Sequence, residues 1–241
     1  MKLDNDYYDE AWCQWDDMKE YGPVSRHVRR LVLKLLKYIE FASVLDVGCG
    51  VGILLNAIHD RYPSARLGGT EYSEKALART HARLSLIETH KLNLSTEALQ
   101  ETYDLVTCVD VLEHIEDDST AMMNLRAMTK NYLLVVIPLG PLFEVERLRV
   151  GHLHGYSRKE VDRKLRRAGF EIVRTIQWGF PLYNLYRRLL HRLPEAATTG
   201  KYGAGKRLSS LLLYCLLFIN LPFGGERYFA LCKPRQKKNL K

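Results

Sequence analysis

Glycine stands at every second position of Gly48-Cys49-Gly50-Val51-Gly52, directly after the apolar run of residues 43–47. Residues 53–62 then carry a helical pattern, so the stretch reads strand, glycine turn, helix. That arrangement directs helix N-terminal N–H groups at an anionic or carboxylate ligand. Gly48 and Gly50 permit backbone angles that a side chain forbids and let a ligand approach the main chain, while Gly52 opens the helix. Asp46, at the strand end, is placed to brace the loop and to favour a cationic ligand. A second carboxylate, Glu71, lies 21 residues after Gly50 and closes the next predicted strand, residues 66–70. At about that distance a carboxylate accepts hydrogen bonds from ribose hydroxyls, and Tyr72 is placed to lie against an adenine. A dinucleotide loop, G-x-G-x-x-G, requires glycine at position 53, where Ile53 stands.

Two further groups carry proton or metal chemistry. Asp110-Val111-Leu112-Glu113-His114 follows the predicted strand 103–109, and His152-Leu153-His154 lies in a loop past the fifth strand. Histidine, with a pKa near ~6.5, suits proton removal at neutral pH; two loop histidines also occur as plain surface residues. The i, i+2 spacing of His152 and His154 suits a metal, but no third ligand is evident near them in the sequence.

The spacing D-x-G-x-G-x-G, from Asp46 to Gly52, resembles the first motif of class I S-adenosylmethionine (SAM)-dependent methyltransferases. Residues 103–115 look like the fourth-strand motif of the ubiquinone-type small-molecule O-methyltransferases. The resemblance covers residues 26–178 and 226–234. It implies an α/β fold, a doubly wound, seven-stranded, mostly parallel sheet with a helical insertion between the last two strands. It implies SAM as cofactor, held by Asp46, Gly48, Cys49, Gly50, Gly52, Glu71, Tyr72, Asn93, Leu94, Asp110 and Val111. Asn93 departs from the acid often found at its position, though its side-chain oxygen can accept the same hydrogen bond. Asp110 would sit beside the methionine part of the cofactor. His152 or His154 would be the catalytic base. In the ubiquinone-type enzymes the acid-x-x-Glu-His pattern can hold a divalent cation; Asp110 replaces a longer Glu there, and the expectation is that Glu113 and His114 brace a helix and hold no metal tightly.

These residues need elements to position them. Helices are predicted over 25–40, 73–84, 116–130 and 158–168, the third and fifth strands over 87–94 and 131–138, the sixth over 170–178 and the last over 227–233, the last two pairing antiparallel. Residues 1–25 are acidic and aromatic and read as a lid over the cofactor cleft or as a helix on the sheet edge. Helix 25–40 is amphipathic and basic, and reads as packed on the core. The insertion, 179–225, holds helical patterns at 185–193 and 208–223. It reads as a lid over an apolar substrate, a surface helix on a membrane, or a helix buried in a homodimer. The basic tail 235–241 reads as disordered.

The chain has 241 residues and a net charge of +8. The charge is divided: residues 147–241 carry 21 Lys and Arg against 5 Asp and Glu, and residues 1–146 carry 15 against 23. No apolar run reaches the ~20 residues of a membrane span. Five scattered cysteines form no metal spacing, which fits a reduced, cytoplasmic location, with the basic insertion (182–223) and tail available to the inner face of an anionic membrane. The expected activity is O-methylation of a small apolar or lipid-linked acceptor, such as a phenol, quinone precursor or polyketide-like acid. An RNA or protein methyltransferase is the alternative, although the basic residues alternate with leucine rather than with a stacking platform and nucleic acid is not the expected partner. An inactive membrane-associated interaction protein of the same fold is the other, against which the intact glycine loop and Glu71 stand.

Overall fold

The computed structural model describes residues 5–190 and 192–235; the tail beyond 235 lies outside the described residues. Within them, β1 (Ser43–Val47), β2 (Arg66–Glu71), β3 (Glu88–Lys91), β4 (Tyr103–Val109), β5 (Thr129–Pro138), β6 (Phe170–Trp178) and β7 (Arg227–Pro234) form one sheet in the order β3-β2-β1-β4-β5-β7-β6. The first five strands are parallel, and β7 runs antiparallel to both β5 and β6. Val44, Leu45, Leu105, Val106, Leu133 and Leu134 are buried on alternating faces of the central strands, as a sheet covered on both sides requires.

One face carries α2 (Pro23–Leu36), α3 (Ile53–Arg61) and α4 (Glu74–Arg83), together with α8 (Leu182–Leu190) and α9 (Ala204–Leu216). The other carries α5 (Asp118–Met128) and α7 (Arg158–Arg167). Helix α2 buries Val28, Leu31, Val32, Leu35 and Leu36 in the core. The side chain of Ser73 caps α4 by accepting from the Ala76 N–H, and that of Ser157 caps α7 by accepting from the Glu160 N–H, which satisfies amide donors left open at each helix start. Between β1 and β4 the strand order reverses, and a ligand crevice opens beyond the carboxyl ends of strands at such a point. The glycine loop follows β1 and Asp110 follows β4, so both stand at its rim.

Several boundaries differ from expectation. Helix α2 begins at Pro23, whose missing N–H costs nothing in the first turn, and ends at Leu36 rather than residue 40. Strand β3 stops at Lys91 because Asn93 folds into its own turn, accepting from the Ser95 N–H and hydroxyl. The segment after β5, expected as loop throughout, holds α6 (Glu144–Arg149). In the insertion, α9 ends at Leu216 and a 3-10 turn, Leu217–Ile219, follows. Asn220 then turns back, its side-chain oxygen accepting from the Leu182 and Tyr183 N–H groups and capping α8.

Helix α1 (Asn5–Tyr21) crosses the carboxyl ends of the strands. Asp9 accepts from the Ser73 hydroxyl and pairs with Lys75. Asp16 pairs with Arg79, Glu20 with Arg83 and Lys19 with Asp110.

Candidate active site

The glycine loop needs its glycines. Gly48 and Gly50 have φ of +72° and +56°, angles in which a side chain is strained. A Cβ at Gly48 would fall 2.4 Å from Val111 Cγ2, and one at Gly50 would fall 2.2 Å from the Trp12 ring. The loop turns its N–H groups toward β2: those of Gly48 and Cys49 donate to the Thr70 carbonyl at 2.8 and 2.9 Å, and that of Gly50 donates to Glu71 Oε2 at 2.9 Å. Of these three loop donors, only the Gly50 N–H meets the Glu71 carboxylate. Its other oxygen accepts from the Tyr72 and Ser73 N–H groups. Burial raises the Glu71 pKa against these hydrogen bonds. Asp46 is fully enclosed, accepts from the Thr107 hydroxyl at 2.6 Å, and is pushed up to about 7 by burial.

A cavity of about 980 Å³ opens in front of this loop. Gly48, Glu71, Tyr72, Asn93, Leu94, Asp110, Val111 and His154 line it. Asp46, Gly48 and Cys49 line a smaller space of about 70 Å³ beside it. Gly50 and Gly52 line neither space: the first lies under Trp12 and the second packs against Thr80. Asn93 reaches the cavity, but its side-chain oxygen is spent on Ser95, which corrects its expected role as acceptor for an adenine amino group. Asp110 adopts a left-handed φ of +56°, a strained state for a non-glycine residue and one found at functional sites. Burial works to raise its pKa, but the Arg227 guanidinium, which donates to it, and the Lys19 ammonium at 3.7 Å hold it below the ordinary value.

The acceptor side is assembled from two loops. Adjacent strands β4 and β5 place the 3-10 turn Leu112–His114 beside the loop containing residues 151–156. Backbone bonds stitch them: the Leu153 N–H donates to the Glu113 carbonyl, His154 Nε2 bonds the Ile115 carbonyl at 2.7 Å, and the Tyr156 hydroxyl donates to Leu112 O and Asp118. One consequence is that Glu113, His114 and His152 each offer a ligand atom, all within 4.8 Å of one another. Sequence spacing paired His152 with His154 and found no third ligand; the structure pairs His152 with Glu113 and His114 instead. The Glu113 side chain is 0% exposed, and neither carboxylate oxygen has a hydrogen-bond partner. Burial and the nearby Asp110 charge push its pKa up to about 8. Burial lowers His114 and His152 to about 3, with the neighbouring His152 and Arg227 charges adding to the respective shifts. Both rings are neutral at pH 7, and His152 is a weak base, contrary to the expectation of an ordinary imidazole.

Residues of α1 were not among the expected ligands, yet Tyr8, Trp12, Trp15 and Lys19 all line the cavity. Their spacing of i, i+4, i+7 and i+11 is one helical face, a signal present in the sequence. Arg227, on β7, had no such signal. No residue of α8 or α9 is among those lining either space, so the described insertion does not roof the cavity.

Comparison with known proteins agrees with this geometry. A methyltransferase-domain family model matches residues 18–175. The chain is 26% identical over 210 residues to a ubiquinone biosynthesis O-methyltransferase of Hydrogenovibrio crunogenus, covering 76% of this chain and 86% of that protein. It is 30% identical over 204 residues to the protein of that name in Thiobacillus denitrificans, covering 72% and 84%. Among solved structures, the N-methyltransferase NodS of Bradyrhizobium japonicum, in complex with S-adenosylhomocysteine (SAH), aligns with a TM-score of 0.64 at 16% identity, covering 96% of this chain and 98% of that one. Magnesium protoporphyrin IX methyltransferase of Synechocystis, also with bound SAH, gives 0.60 at 17%, with the same coverage. Such identities bear on the fold alone. With the family model spanning most of the chain and the glycine loop, Glu71 and Asp110 gathered at the switch point of the sheet, the chain belongs to the class I SAM-dependent methyltransferases.

Proposed function

We propose that this enzyme methylates a hydroxyl of a small apolar acceptor of the phenol, quinone-precursor or polyketide-like acid class, free or lipid-linked. The observation that carries this reading is that a single cavity of about 980 Å³ is lined both by the cofactor-loop residues and by His114 and His154. That volume lies at the upper end for small-molecule pockets, about 300–1,000 Å³, and suits a nucleoside cofactor with a compact acceptor. The relatives named as ubiquinone O-methyltransferases support the same substrate class.

Bound SAM supplies a methyl group on a sulfonium leaving group. The chain aligns that methyl with the acceptor oxygen and excludes water. Gly48, which lines the cavity, lets the cofactor approach the main chain. Glu71 keeps lone pairs for ribose hydroxyls beside those given to the loop. Tyr8, Trp12 and Trp15 close the cleft from α1. His154 is the preferred base over His152: its Nε2 donates to the Ile115 carbonyl, which leaves Nδ1 of the neutral ring unprotonated and able to take the acceptor proton.

Glu113, His114 and His152 fit a divalent cation: burial favours the protonated Glu113 carboxyl, which has no hydrogen-bond partner, and a cation held with the two neutral imidazoles would take the place of that proton. Such a cation would lower the pKa of an acceptor hydroxyl.

Calorimetric titration with SAM and SAH, followed by transfer of labelled methyl to a phenolic panel, tests the reading. Micromolar binding, lost in Glu71→Ala and Gly50→Arg, with transfer to phenolic hydroxyls, is expected. Transfer confined to amines or RNA would overturn the hydroxyl assignment.

A further inference from the structure

Helix α9 is turned inside out. Leu208, Leu211, Leu212, Leu216 and Ile219 recur at i, i+3, i+4, i+8 and i+11, the spacing of a core-facing stripe. Here that stripe faces solvent: Leu212 is 62% exposed and Ile219 63%. The side turned to the protein instead buries Ser210. Specific bonds fix this rotation. The Ser210 hydroxyl donates to the Tyr21 carbonyl, His27 Nε2 bonds the Tyr214 carbonyl at 2.8 Å, and Leu217 enters the core. His27 also lies against the Tyr214 and Phe218 rings. The apolar surface continues past the helix, where Phe223 is 62% exposed. Exposed apolar area gathered in this way marks an interaction site.

The charges around it choose the occupant. Residues 179–225 contain six Lys and Arg and one acid, Glu195. Lys201 and Arg207 are exposed. From α2, the Arg26 guanidinium lies 4.0 Å from the centre of the Tyr214 ring and that of Arg30 lies 4.6 Å from Phe218, so cations border the apolar stripe. A two-fold contact between copies of this face would set basic rim against basic rim. An anionic bilayer offers both parts of the match: acyl chains for the leucines and headgroups for the cations. No described helix is long and apolar enough to cross a membrane, and α9, of 13 residues, is about 20 Å long, which suits lying in the interface plane.

We propose that the outer face of α9, with the segment through Phe223, docks this enzyme on an anionic lipid surface. The docking does not depend on which acceptor is methylated. Helix α8 links the docked insertion to the acceptor side, because its Arg187 donates to the Leu139 and Pro141 carbonyls and to Glu146 of α6.

Flotation of the purified chain with phosphatidylcholine vesicles, with and without about one third phosphatidylglycerol, tests this. The expected result is at least ~10-fold stronger binding to the anionic vesicles, weakened by salt. The double variant Leu212→Glu/Phe223→Glu and the variant Lys201→Glu/Arg207→Glu should each lose most of it while keeping the melting temperature and SAH affinity of the parent. Absent or charge-independent binding, or binding that survives Leu212→Glu/Phe223→Glu, overturns the assignment. So does a concentration-dependent dimer in analytical ultracentrifugation that Leu212→Glu abolishes without any vesicle binding by the parent; the face would then belong to a second copy.

Discussion

Asp46 sits at the base of the cofactor loop, where its hydrogen bond comes from Thr107. Its pKa of about 7 lies above that of an unfolded aspartate, so folding favours its protonated form. The stability it contributes is complete below the unfolded value and is lost as pH rises through about 7. Asp46→Asn should therefore stabilise the ligand-free protein more at pH 8 than at pH 5, by up to about 3 kcal/mol, measured by urea unfolding at both values. The same substitution should weaken binding of the cationic cofactor more than that of neutral SAH. Glu113 poses the converse question, since its unpartnered carboxylate gains most from a bound cation. Chelator treatment should lower methyl transfer, with Mg²⁺ or Zn²⁺ restoring it, and Glu113→Gln should remove the response; cofactor affinity, read by calorimetry, should stay within about twofold, because the turn and its backbone bonds remain.

Among the elements, α1 and α8 have opposite characters. Helix α1 is held over the cavity by part-exposed ion pairs, each worth little, by the buried Asp9–Ser73 hydrogen bond and by the Trp12 ring against Gly50. The Trp12 Nε1 donor is buried without a partner, so its surroundings should change when the cleft fills. Titration with SAH should shift tryptophan emission, and Trp12→Phe should remove most of the shift. Helix α8, by contrast, is pinned by a buried guanidinium: Arg187 pairs with Glu146 and Glu226. Arg187→Leu leaves buried carboxylates short of a partner and should cost roughly 3–5 kcal/mol, seen as a lower melting temperature. In the fraction that folds, the acceptor KM should rise while SAH affinity changes little, since Arg187 holds the loop base rather than the glycine turn.

For the whole molecule, the acidic first half and basic second half acquire separate tasks. Helix α1 and the glycine loop come from residues 1–146, and the basic excess falls on α7, the insertion and the end of the chain. A ligand that binds only the folded chain stabilises it by mass action. SAH at 100 times its dissociation constant should therefore add about 2.7 kcal/mol, visible in a thermal shift that Glu71→Ala abolishes.

The cofactor half was legible because its signals are local. A strand, a glycine turn and a helix lie within twenty residues, and the Glu71 spacing is fixed by one strand–helix–strand unit, so the fold class could be read from sequence alone, and Gly48, Glu71, Tyr72 and Asp110 line one cavity. The acceptor side was not legible. Glu113 and His152 meet only because β4 and β5 are neighbours, and no period in the chain records that adjacency. Burial then changed the chemistry of the histidines, turning an apparent base into a weakly basic imidazole beside an unpartnered carboxylate. Helix α9 shows the same division. Its apolar spacing was readable, but spacing fixes only which residues share a face; whether that face meets the core or the solvent was decided by Tyr21 and His27, which hold its other side.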